Sequence, residues 1–317
     1  MKITVLAGGV GGARFLHGLR TLPDTDITVV ANTGDDLWLT GLRVCPDLDS
    51  IMYSLGGMND TERGWGRVGE SERVSAELTA YGVGWPWFTL GDLDLGTHIA
   101  RSSMLRDGAT LTQATTRLAS RFDLGVTLLP ATDDEVETNV EIIDPVTGQV
   151  VLIHFEEWWV KHRAGVDARR FVQLGVDNSR ATDAVLRVIA SADVVLLAPS
   201  NPVVSIGTIL GIPGIVDALI DTAAPVVGVS PIIGGSVVRG MADACLRAIG
   251  VETSAAAVAL HYSSRDFLDG WLVDTVDTAS LAELERAGIR CAAVPLWMTD
   301  DPATAAISQA ALRLAGL

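Results

Sequence analysis

The chain has 317 residues, of which 48% are hydrophobic, and a formal net charge of −16 at neutral pH. That length and apolar content allow one large α/β domain or two smaller ones. The acidic balance argues against nucleic acid as a partner, because binding to a phosphate backbone needs clustered lysine and arginine. No apolar run reaches the roughly 18 residues that cross a bilayer, and no signal-peptide pattern opens the chain. The three cysteines have no zinc-ligand spacing, so we expect a reduced, cytoplasmic enzyme without membrane association.

A glycine-rich turn follows the first predicted strand. Lys2–Leu6 is predicted as a buried strand and Phe15–Leu22 as an amphipathic helix. The glycines between them are Gly8, Gly9, Gly11 and Gly12. Backbone N–H groups at the positive end of a helix dipole form a binding site for phosphate oxygens, so the turn predicts a phosphate site of the kind that binds a nucleotide. The alternative is a glycine turn that only lets the helix pack on the sheet.

The turn departs from two known nucleotide-binding motifs. Arg14 stands where a dinucleotide fingerprint has its third glycine, and Asn32 ends the second strand where an acidic residue would hold a ribose. No Gly-Lys-Ser/Thr sequence follows, so the P-loop of nucleotide hydrolases is absent. An NAD-dependent oxidoreductase is therefore disfavoured. Arg14, one helical turn beyond the glycines, could instead reach a diphosphate.

Alternating strands and helices predict an α/β fold with a Rossmann-like, doubly wound, mainly parallel sheet, because most strands are apolar on both faces. The later core strands are predicted over Ile27–Ala31, Val194–Ala198, Val226–Ser230, Ala255–His261, Trp271–Asp274 and Ala292–Pro295. Core helices are predicted over Ala181–Ser191, Gly214–Thr222, Val237–Ile249, Leu281–Ala287 and Thr304–Ala315. The predicted core takes residues 1–63 and 171–317.

Residues 64–170 are predicted to form an inserted, smaller α+β subdomain that covers the substrate at the open end of the sheet. Its predicted elements are helices over Ser71–Tyr81, Leu95–Asp107 and Thr112–Phe122, a segment Thr127–Pro130, and a hairpin of Val140–Ile143 with Val150–Phe155. His98 and Arg101 lie three residues apart and share one helix face. A lone histidine is more often structural than functional, and that alternative stays open.

Acidic residues cluster after the second predicted strand, on the side of the glycine turn. They include Asp36, Asp47 and Asp49. Carboxylates near a phosphate site are typical ligands of Mg²⁺, together with phosphate oxygens. The alternative is that these residues cap turns or helices, with Asp49 as the N-cap of the helix that follows it.

Polar residues also follow the strand Val194–Ala198. Ser200, Asn201 and Ser205 lie just beyond this buried strand, where they could donate hydrogen bonds to a base or a phosphate. A plain strand-to-helix turn explains the same residues equally well.

Six ordered motifs together resemble the 2-phospho-L-lactate transferase family. They are Leu6–Arg14, Asn32–Asp36, Pro46–Ser50, Leu90–Asp92, Pro199–Pro202 and Ser230–Gly235, and they span nearly the whole chain. The resemblance implies a Rossmann-like core with an inserted domain. It implies an enzyme of coenzyme F-420 biosynthesis that joins a GDP-activated three-carbon acid to the deazaflavin Fo, releases GMP and needs Mg²⁺. Ser236 stands where archaeal members often carry a lysine.

The same resemblance implies roles for individual residues. Asp47 and Asp49 are expected to be catalytic, with Asp36, Asp47 and Asp49 as metal ligands. Fo is expected to contact Asp49, Thr97, His98 and Arg101. The nucleotide and its diphosphate are expected to contact Gly8, Gly9, Gly11, Gly12, Arg14, Asn32, Thr33, Ser200, Asn201 and Ser205.

Two further points stay open from the sequence. The tryptophan-rich stretch with Trp65, Trp85 and Trp87 suggests the mycobacterial branch, which transfers a phosphoenolpyruvyl group to give dehydro-F-420-0 rather than a 2-phospho-L-lactyl group to give F-420-0. A related family of the same fold binds nucleotide sugars as a regulator without catalysis, and it shares part of these motifs. We expect a homodimer that acts on small molecules.

Overall fold

A computed structural model describes residues 1–317, the whole chain. The strands are β1 (Lys2–Ala7), β2 (Asp26–Ala31), β3 (Leu37–Leu39), β4 (Leu42–Val44), β5 (Thr127–Pro130), β6 (Glu137–Ile143), β7 (Val150–His154), β8 (Ala168–Leu174), β9 (Val194–Leu197), β10 (Val226–Val229), β11 (Ile232–Ile233), β12 (Ser236–Val237), β13 (Gly270–Val273) and β14 (Arg290–Ala293). The helices are α1 (Gly9–Leu19), α2 (Pro46–Leu55), α3 (Arg73–Ala80), α4 (Asp92–Arg106), α5 (Leu111–Ala119), α6 (Asp183–Ala190), α7 (Ile206–Gly211), α8 (Ile215–Asp221), α9 (Ala242–Ala248), α10 (Ala255–Ser263), α11 (Leu281–Arg286) and α12 (Asp301–Ala315). None of these helices is long and apolar enough to span a membrane.

A seven-stranded parallel sheet forms the centre of the molecule, with strand order β14-β13-β10-β9-β1-β2-β5. Strand β1 shows why both faces are apolar, since alternate side chains belong to different cores. Ile3 and Val5 pack with α1, α2 and α12, whereas Leu6 packs with α6, α8 and α10 on the other face. The predicted doubly wound α/β fold is confirmed.

The direction of winding reverses beside β1. From β1 the chain adds β2 and then β5 on one side, and it returns to add β9, β10, β13 and β14 on the other. In such sheets the crevice at the reversal point, beyond the carboxyl ends of the strands, is where ligands bind. The glycine turn lies directly after β1 and therefore at this crevice.

One predicted strand is wrong. Ala255–His261 lies in helix α10, whose first turn is capped by the Ser254 hydroxyl as it accepts a hydrogen bond from the Ala257 N–H. A short run that is apolar at nearly every position fits a buried helix as well as a buried strand, so periodicity alone did not separate the two.

Two predicted helices have different starting points. The first begins at Gly9 rather than Phe15, and the predicted helix Val237–Ile249 begins at Ala242 because β11 and β12 form a small hairpin before it. The early start of α1 places Gly9, Gly11 and Gly12 inside the first helical turn, with Gly8 as the N-cap. The N–H groups of Gly9 and Gly11 therefore lie at the amino end of the helix, before its first helical hydrogen bond.

The segment predicted as an insertion contributes to the central sheet. Thr127–Pro130 is β5, an edge strand paired in parallel with β2, so residues 64–170 include one strand of the core. The predicted hairpin is confirmed as β6 and β7, and β8 adds a third strand that the sequence analysis missed. Helices α3, α4 and α5 form within the predicted segment with boundaries a few residues different. The division into two domains stays a prediction.

Candidate functional site

A cavity of about 860 Å³ lies at the carboxyl ends of the central strands. The predicted site residues that line it are Gly8, Gly9, Gly11, Arg14, Asp47, Asp49, His98, Ser200, Asn201 and Ser205. The remaining predicted residues, which do not line it, are Gly12, Asn32, Thr33, Asp36, Thr97 and Arg101. All six are buried, so any role they have is to hold the residues at the cavity wall.

The glycine turn is held in place by close packing. Gly8 donates its N–H to Ser200 Oγ (3.0 Å), and the Ser200 hydroxyl donates to the Gly8 carbonyl (2.8 Å). Gly9 has φ +55°, and a Cβ on Gly11 would lie 2.8 Å from the Pro199 carbonyl oxygen. The packing alternative therefore describes part of the role of these glycines.

The same turn leaves backbone donors facing the cavity. The first helical hydrogen bond of α1 runs from the Gly12 N–H to the Gly8 carbonyl (3.3 Å). The N–H groups of Val10 and Gly11 precede it and have no acceptor within the helix. Both residues line the cavity. A group of donors at a helix amino end, with Arg14 exposed beside it, can bind the oxygens of a phosphate.

Three buried carboxyl groups line the cavity near this helix start: Asp35, Asp47 and Glu156. Asn32 joins two of them, because its amide nitrogen donates to Asp47 Oδ2 (2.9 Å) and to Asp35 Oδ2 (3.2 Å). Asn32 is thus a buried support for the acidic group rather than a residue of the cavity wall. We call Asp35, Asp47 and Glu156 the acidic group.

Burial and mutual repulsion favour protonation of the acidic group. Burial raises the pKa of Asp47 to about 6, although a hydrogen bond from Asn32 favours its charged form. Burial and then the charge of Asp47 raise the pKa of Glu156 to about 8. The pKa of Asp35 is raised well above its usual range, first by burial and then by Asp47. These groups gain stability from a bound proton or a bound cation.

The acidic group has the chemistry of a site for a hard divalent cation. Its donors are all carboxylate oxygens, and Asp35 Oδ1 is buried without a hydrogen-bond partner. Mg²⁺ is commonly held by one or two carboxylates together with phosphate oxygens and water. The residues therefore fit Mg²⁺ beside the helix start of α1.

Asp36 does not belong to this group. Its carboxylate pairs with Arg43 (Nη2–Oδ2 3.5 Å) away from the cavity wall. Burial raises the pKa of Asp36 to about 7, and the charge of Arg43 opposes that shift. Asp36 therefore does not line the cavity together with Asp47 and Asp49.

A second polar network surrounds Asp49. Arg101 donates from Nη2 to Asp49 Oδ1 and from Nη1 to the Arg43 carbonyl (3.2 Å). His98 lies between two acids, with its Nδ1 3.6 Å from Asp49 Oδ2 and its Nε2 3.3 Å from Asp94 Oδ1. Arg101 is only 1% exposed, so it fixes Asp49 from behind and does not itself reach the cavity.

Asp49 lines the cavity wall. Helix α2 begins at Pro46 and is preceded by Cys45, so the N-cap alternative for Asp49 is wrong. Asp49 Oδ2 has no hydrogen-bond partner. The ligand atoms of Asp49, Asp94 and His98 lie within 4.8 Å of one another. Because the Arg101 guanidinium already balances Asp49, this network needs a cation less than the acidic group does.

The loop after β9 is largely occupied by its own turn. Asn201 Oδ1 accepts hydrogen bonds from the N–H groups of Val203 (2.9 Å) and Val204 (3.2 Å). Ser200 is bonded to Gly8 as described, and a hydrogen bond from the Ser205 side chain favours the charged form of Asp47. The plain-turn alternative therefore explains the hydrogen bonds that the Asn201 side-chain oxygen accepts. It also explains the hydrogen bonds between Ser200 and Gly8.

Aromatic residues that the sequence analysis did not assign to the site form a large part of the cavity wall. They are Tyr53, Trp65, Trp87, Phe88, Phe155, Trp159 and Trp297. Trp87 stacks on Trp85 with ring centroids 4.7 Å apart. We call Trp65, Trp87, Trp159 and Trp297 the aromatic wall. Flat π-faces of this kind bind planar ring systems.

Other missed residues gave only a weak signal in the sequence. Glu156 follows the predicted hairpin strand directly, a position where ligands often bind, but it lies in the pair Glu156-Glu157 that reads as surface charge. Arg63 and Arg239 lie in loops far apart in the chain. Only the tertiary structure brings both to one cavity.

The crevice of this doubly wound α/β fold combines a helix amino end, buried carboxylates and aromatic side chains, a set of groups that suits an anionic ligand and a planar one. The sequence profile described as "2-phospho-L-lactate transferase CofD" matches residues 3–296. The chain belongs to this family. It is therefore a transferase of coenzyme F-420 biosynthesis, and the resemblance seen in the sequence is confirmed.

Relatives of similar length carry the name of the phosphoenolpyruvate transferase branch. A protein of Streptomyces griseus is 56% identical over 316 residues, covering 99% of this chain and 98% of the relative, and is named phosphoenolpyruvate transferase. A protein of Mycolicibacterium smegmatis with the same name is 51% identical over 330 residues, covering 100% and 99%. A crystal structure of a UPF0052 family protein from Bacillus halodurans has a TM-score of 0.63 at 18% identity, covering 98% of this chain and 99% of that one. This last likeness shows the fold alone.

Proposed function

We propose that this protein transfers a phosphoenolpyruvyl group from a GDP-linked donor to the ribityl hydroxyl of Fo, releasing GMP and giving dehydro-F-420-0. Relatives 51% and 56% identical carry the name phosphoenolpyruvate transferase, which supports the enolpyruvyl donor over the lactyl one. The observation that carries the proposal is a single cavity that joins the start of α1, the acidic group and the aromatic wall. These features suit a diphosphate, a metal ion and a flat deazaflavin.

The donor diphosphate is proposed to bind at the start of α1. In this proposal, the free N–H groups of Val10 and Gly11 donate hydrogen bonds to phosphate oxygens, and Arg14 adds a positive charge. A chain with net charge −16 repels anions at long range, but salt screens that repulsion beyond about 8–10 Å. Local donors therefore decide whether a diphosphate binds.

The acidic group is proposed to hold Mg²⁺ beside this diphosphate, with Asp47 nearest to the helix start. Magnesium bound there would balance the charge of the diphosphate during transfer. Asn32 keeps Asp35 and Asp47 in place through its two hydrogen bonds. Binding of a cation would displace the protons that the raised pKa values of these acids favour.

Asp49 is proposed to accept the proton of the attacking hydroxyl. The ribityl oxygen forms a bond to the phosphorus that carries the three-carbon acid, and the bond from that phosphorus to the GMP oxygen breaks. The hydroxyl proton passes to Asp49 Oδ2, the carboxylate oxygen that has no hydrogen-bond partner in the protein. Arg101 holds Asp49 in place, so its role is positioning. Phosphoryl transfer needs mainly such positioning and charge balance.

A direct test is a transfer assay with purified protein, Fo and Mg²⁺. We expect product with GDP-linked enolpyruvate, and its mass should be two hydrogens lower than that of the product made from a GDP-linked lactyl donor. Faster turnover with the lactyl donor would replace the enolpyruvyl assignment. No product from either donor, combined with tight binding of a UDP-sugar, would favour the regulator of the same fold.

A further inference from the structure

The cavity contains three arginines and no lysine: Arg14, Arg63 and Arg239. Arg63 is already neutralised, because its guanidinium pairs with Glu72 (2.7 Å) and Glu70 (3.7 Å) and lies 4.1 Å from the Trp65 ring centroid. Arg14 and Arg239 take part in no ion pair. In a chain this acidic, two unpaired cations at one cavity indicate an anionic ligand with more than one charged part.

These two arginines approach the cavity from different sides. Arg14 rises from α1, beside the backbone donors proposed for the diphosphate. Arg239 lies in the loop between β12 and α9, which follows β10 on the far side of β9. Its guanidinium crosses to the loop after α2, since a Cβ on Gly64 would lie 2.7 Å from Arg239 Nη2. Arg239 therefore faces a part of the ligand other than the part held at the start of α1.

The loop that carries Arg239 is fixed at both ends. Before it, β12 pairs with β11, and the Gly234 N–H donates to Asp277 Oδ2 (2.9 Å). After it, Met241 is buried with Trp158 in the small core under α9. The arginine itself is exposed, so an anchored backbone presents a free guanidinium to the cavity.

We propose that Arg239 binds the carboxylate of the transferred three-carbon group and thereby selects the donor. The inference rests on the proposed transfer reaction, whose donor has a diphosphate and one carboxylate. The planar guanidinium matches a carboxylate with two parallel hydrogen bonds, a geometry that a lysine ammonium cannot reproduce. Arg14 and the helix start serve the diphosphate, and Arg239 serves the remaining anion.

The test compares Arg239→Gln with wild type for three ligands in the presence of Mg²⁺, by isothermal titration calorimetry without Fo. The ligands are GDP, the GDP-linked enolpyruvate, and a GDP isopropyl ester that has a similar carbon frame but no carboxylate. We expect the variant to bind the enolpyruvate donor about 10- to 100-fold more weakly. Binding of GDP and of the ester should change less than about twofold, since neither carries the carboxylate.

Two further variants make the result specific. Arg247→Gln removes an exposed cation of α9 outside the cavity and should leave all three affinities unchanged. Arg239→Lys should recover only part of the donor affinity. In turnover, Arg239→Gln should raise KM for the donor and leave KM for Fo unchanged.

Three outcomes would overturn the inference. Equal weakening of GDP and donor would mean that Arg239 contacts phosphate, and unchanged donor affinity would mean that it contacts neither group. In both cases, wild-type turnover would show that the proposed function survives. If wild-type protein fails to bind or use the donor at all, the proposed function fails and the inference fails with it.

Discussion

The cavity has two regions with different origins. Its floor consists of the glycine turn, Asp47 and Ser200, which follow strands or begin helices of the central sheet. Its cover consists of the aromatic wall together with Glu156 and Arg239, which come from loops and short turns outside that sheet. In the proposed reaction, the floor together with Glu156 would hold the diphosphate and Mg²⁺, whereas the aromatic wall and Arg239 would meet the parts of the ligands that differ between reactions. We therefore expect substitutions in the floor to lower the transfer rate and those in the cover to change selectivity.

The largest effect is expected for Asp49→Asn, at the boundary between the two regions. Loss of the proton acceptor should lower kcat about 100- to 10,000-fold, measured as product formed from Fo and donor at saturation. Asp36→Asn is the matched control, because Asp36 is also buried but lies away from the cavity wall. The folded fraction of the Asp36→Asn variant should form product at the wild-type rate. Normal turnover by Asp49→Asn would remove Asp49 from the mechanism.

Arg101→Met should show that the network behind Asp49 is structural. Removing one partner of a buried ion pair costs about 3–5 kcal/mol of unfolding free energy, because the other charge stays buried and unpaired. Chemical denaturation measures this loss. In addition, kcat should fall while KM for Fo stays near its wild-type value. A large rise in KM for Fo with normal stability would instead mean that Arg101 contacts Fo.

The acidic group predicts a pH-dependent stability that Mg²⁺ removes. The folded-state pKa of Glu156 is raised to about 8, so the folded protein binds more protons than the unfolded chain between the usual glutamate range and pH 8. Stability without metal should therefore fall as pH rises through this window. Mg²⁺ should raise the melting temperature more at pH 8 than at pH 6.

Glu156→Gln provides the control for this titration. The variant should lose much of the pH dependence and should show a smaller effect of Mg²⁺ at pH 8. If wild type and variant have the same pH profile and the same response to Mg²⁺, the cation is not held by the acidic group.

Gly11→Ala tests the packing of the floor. The new Cβ would lie 2.8 Å from the Pro199 carbonyl oxygen, and such overpacking costs about 1–3 kcal/mol of unfolding free energy. GDP binding should weaken as the turn shifts. Gly96→Ala in α4 is the control, because its Cβ would meet nothing within 4 Å and should leave stability unchanged or raise it by up to about 1 kcal/mol.

The smallest effect is expected in the cover. Trp87→Ala should remove aromatic stacking worth about 0.5–1.5 kcal/mol and raise KM for Fo several-fold without changing GDP affinity. Trp38→Ala, which removes a tryptophan outside the cavity, should change neither. An equal loss of GDP affinity in Trp87→Ala would contradict the assignment of the cover to the acceptor.

The floor could be predicted from the sequence because its residues lie at strand ends. Gly8 to Arg14 follow β1 and Ser200 follows β9, and the ends of parallel strands meet at one edge. Asp47 was also placed correctly at the cavity wall. Local pattern did not show that Asn32 and Arg101 lie behind the cavity wall, since that depends on the side chains packed around them.

The cover could not be predicted in the same way. Glu156 looked like surface charge, and Arg239 has no sequence neighbour that marks a site. Both depend on contacts between segments distant in the chain. The place of β5 in the central sheet was missed for the same reason, because its pairing with β2 joins residues about a hundred positions apart. The error at α10 is different, because there a uniformly apolar run carries no period.

A crystal structure with GDP and Mn²⁺ in place of Mg²⁺ tests the central claim most directly. We predict that the diphosphate lies against the N–H groups of Val10 and Gly11, with the Mn²⁺ anomalous peak within coordination distance of Asp47. A diphosphate bound elsewhere, or a metal peak between Asp49, Asp94 and His98, would contradict it.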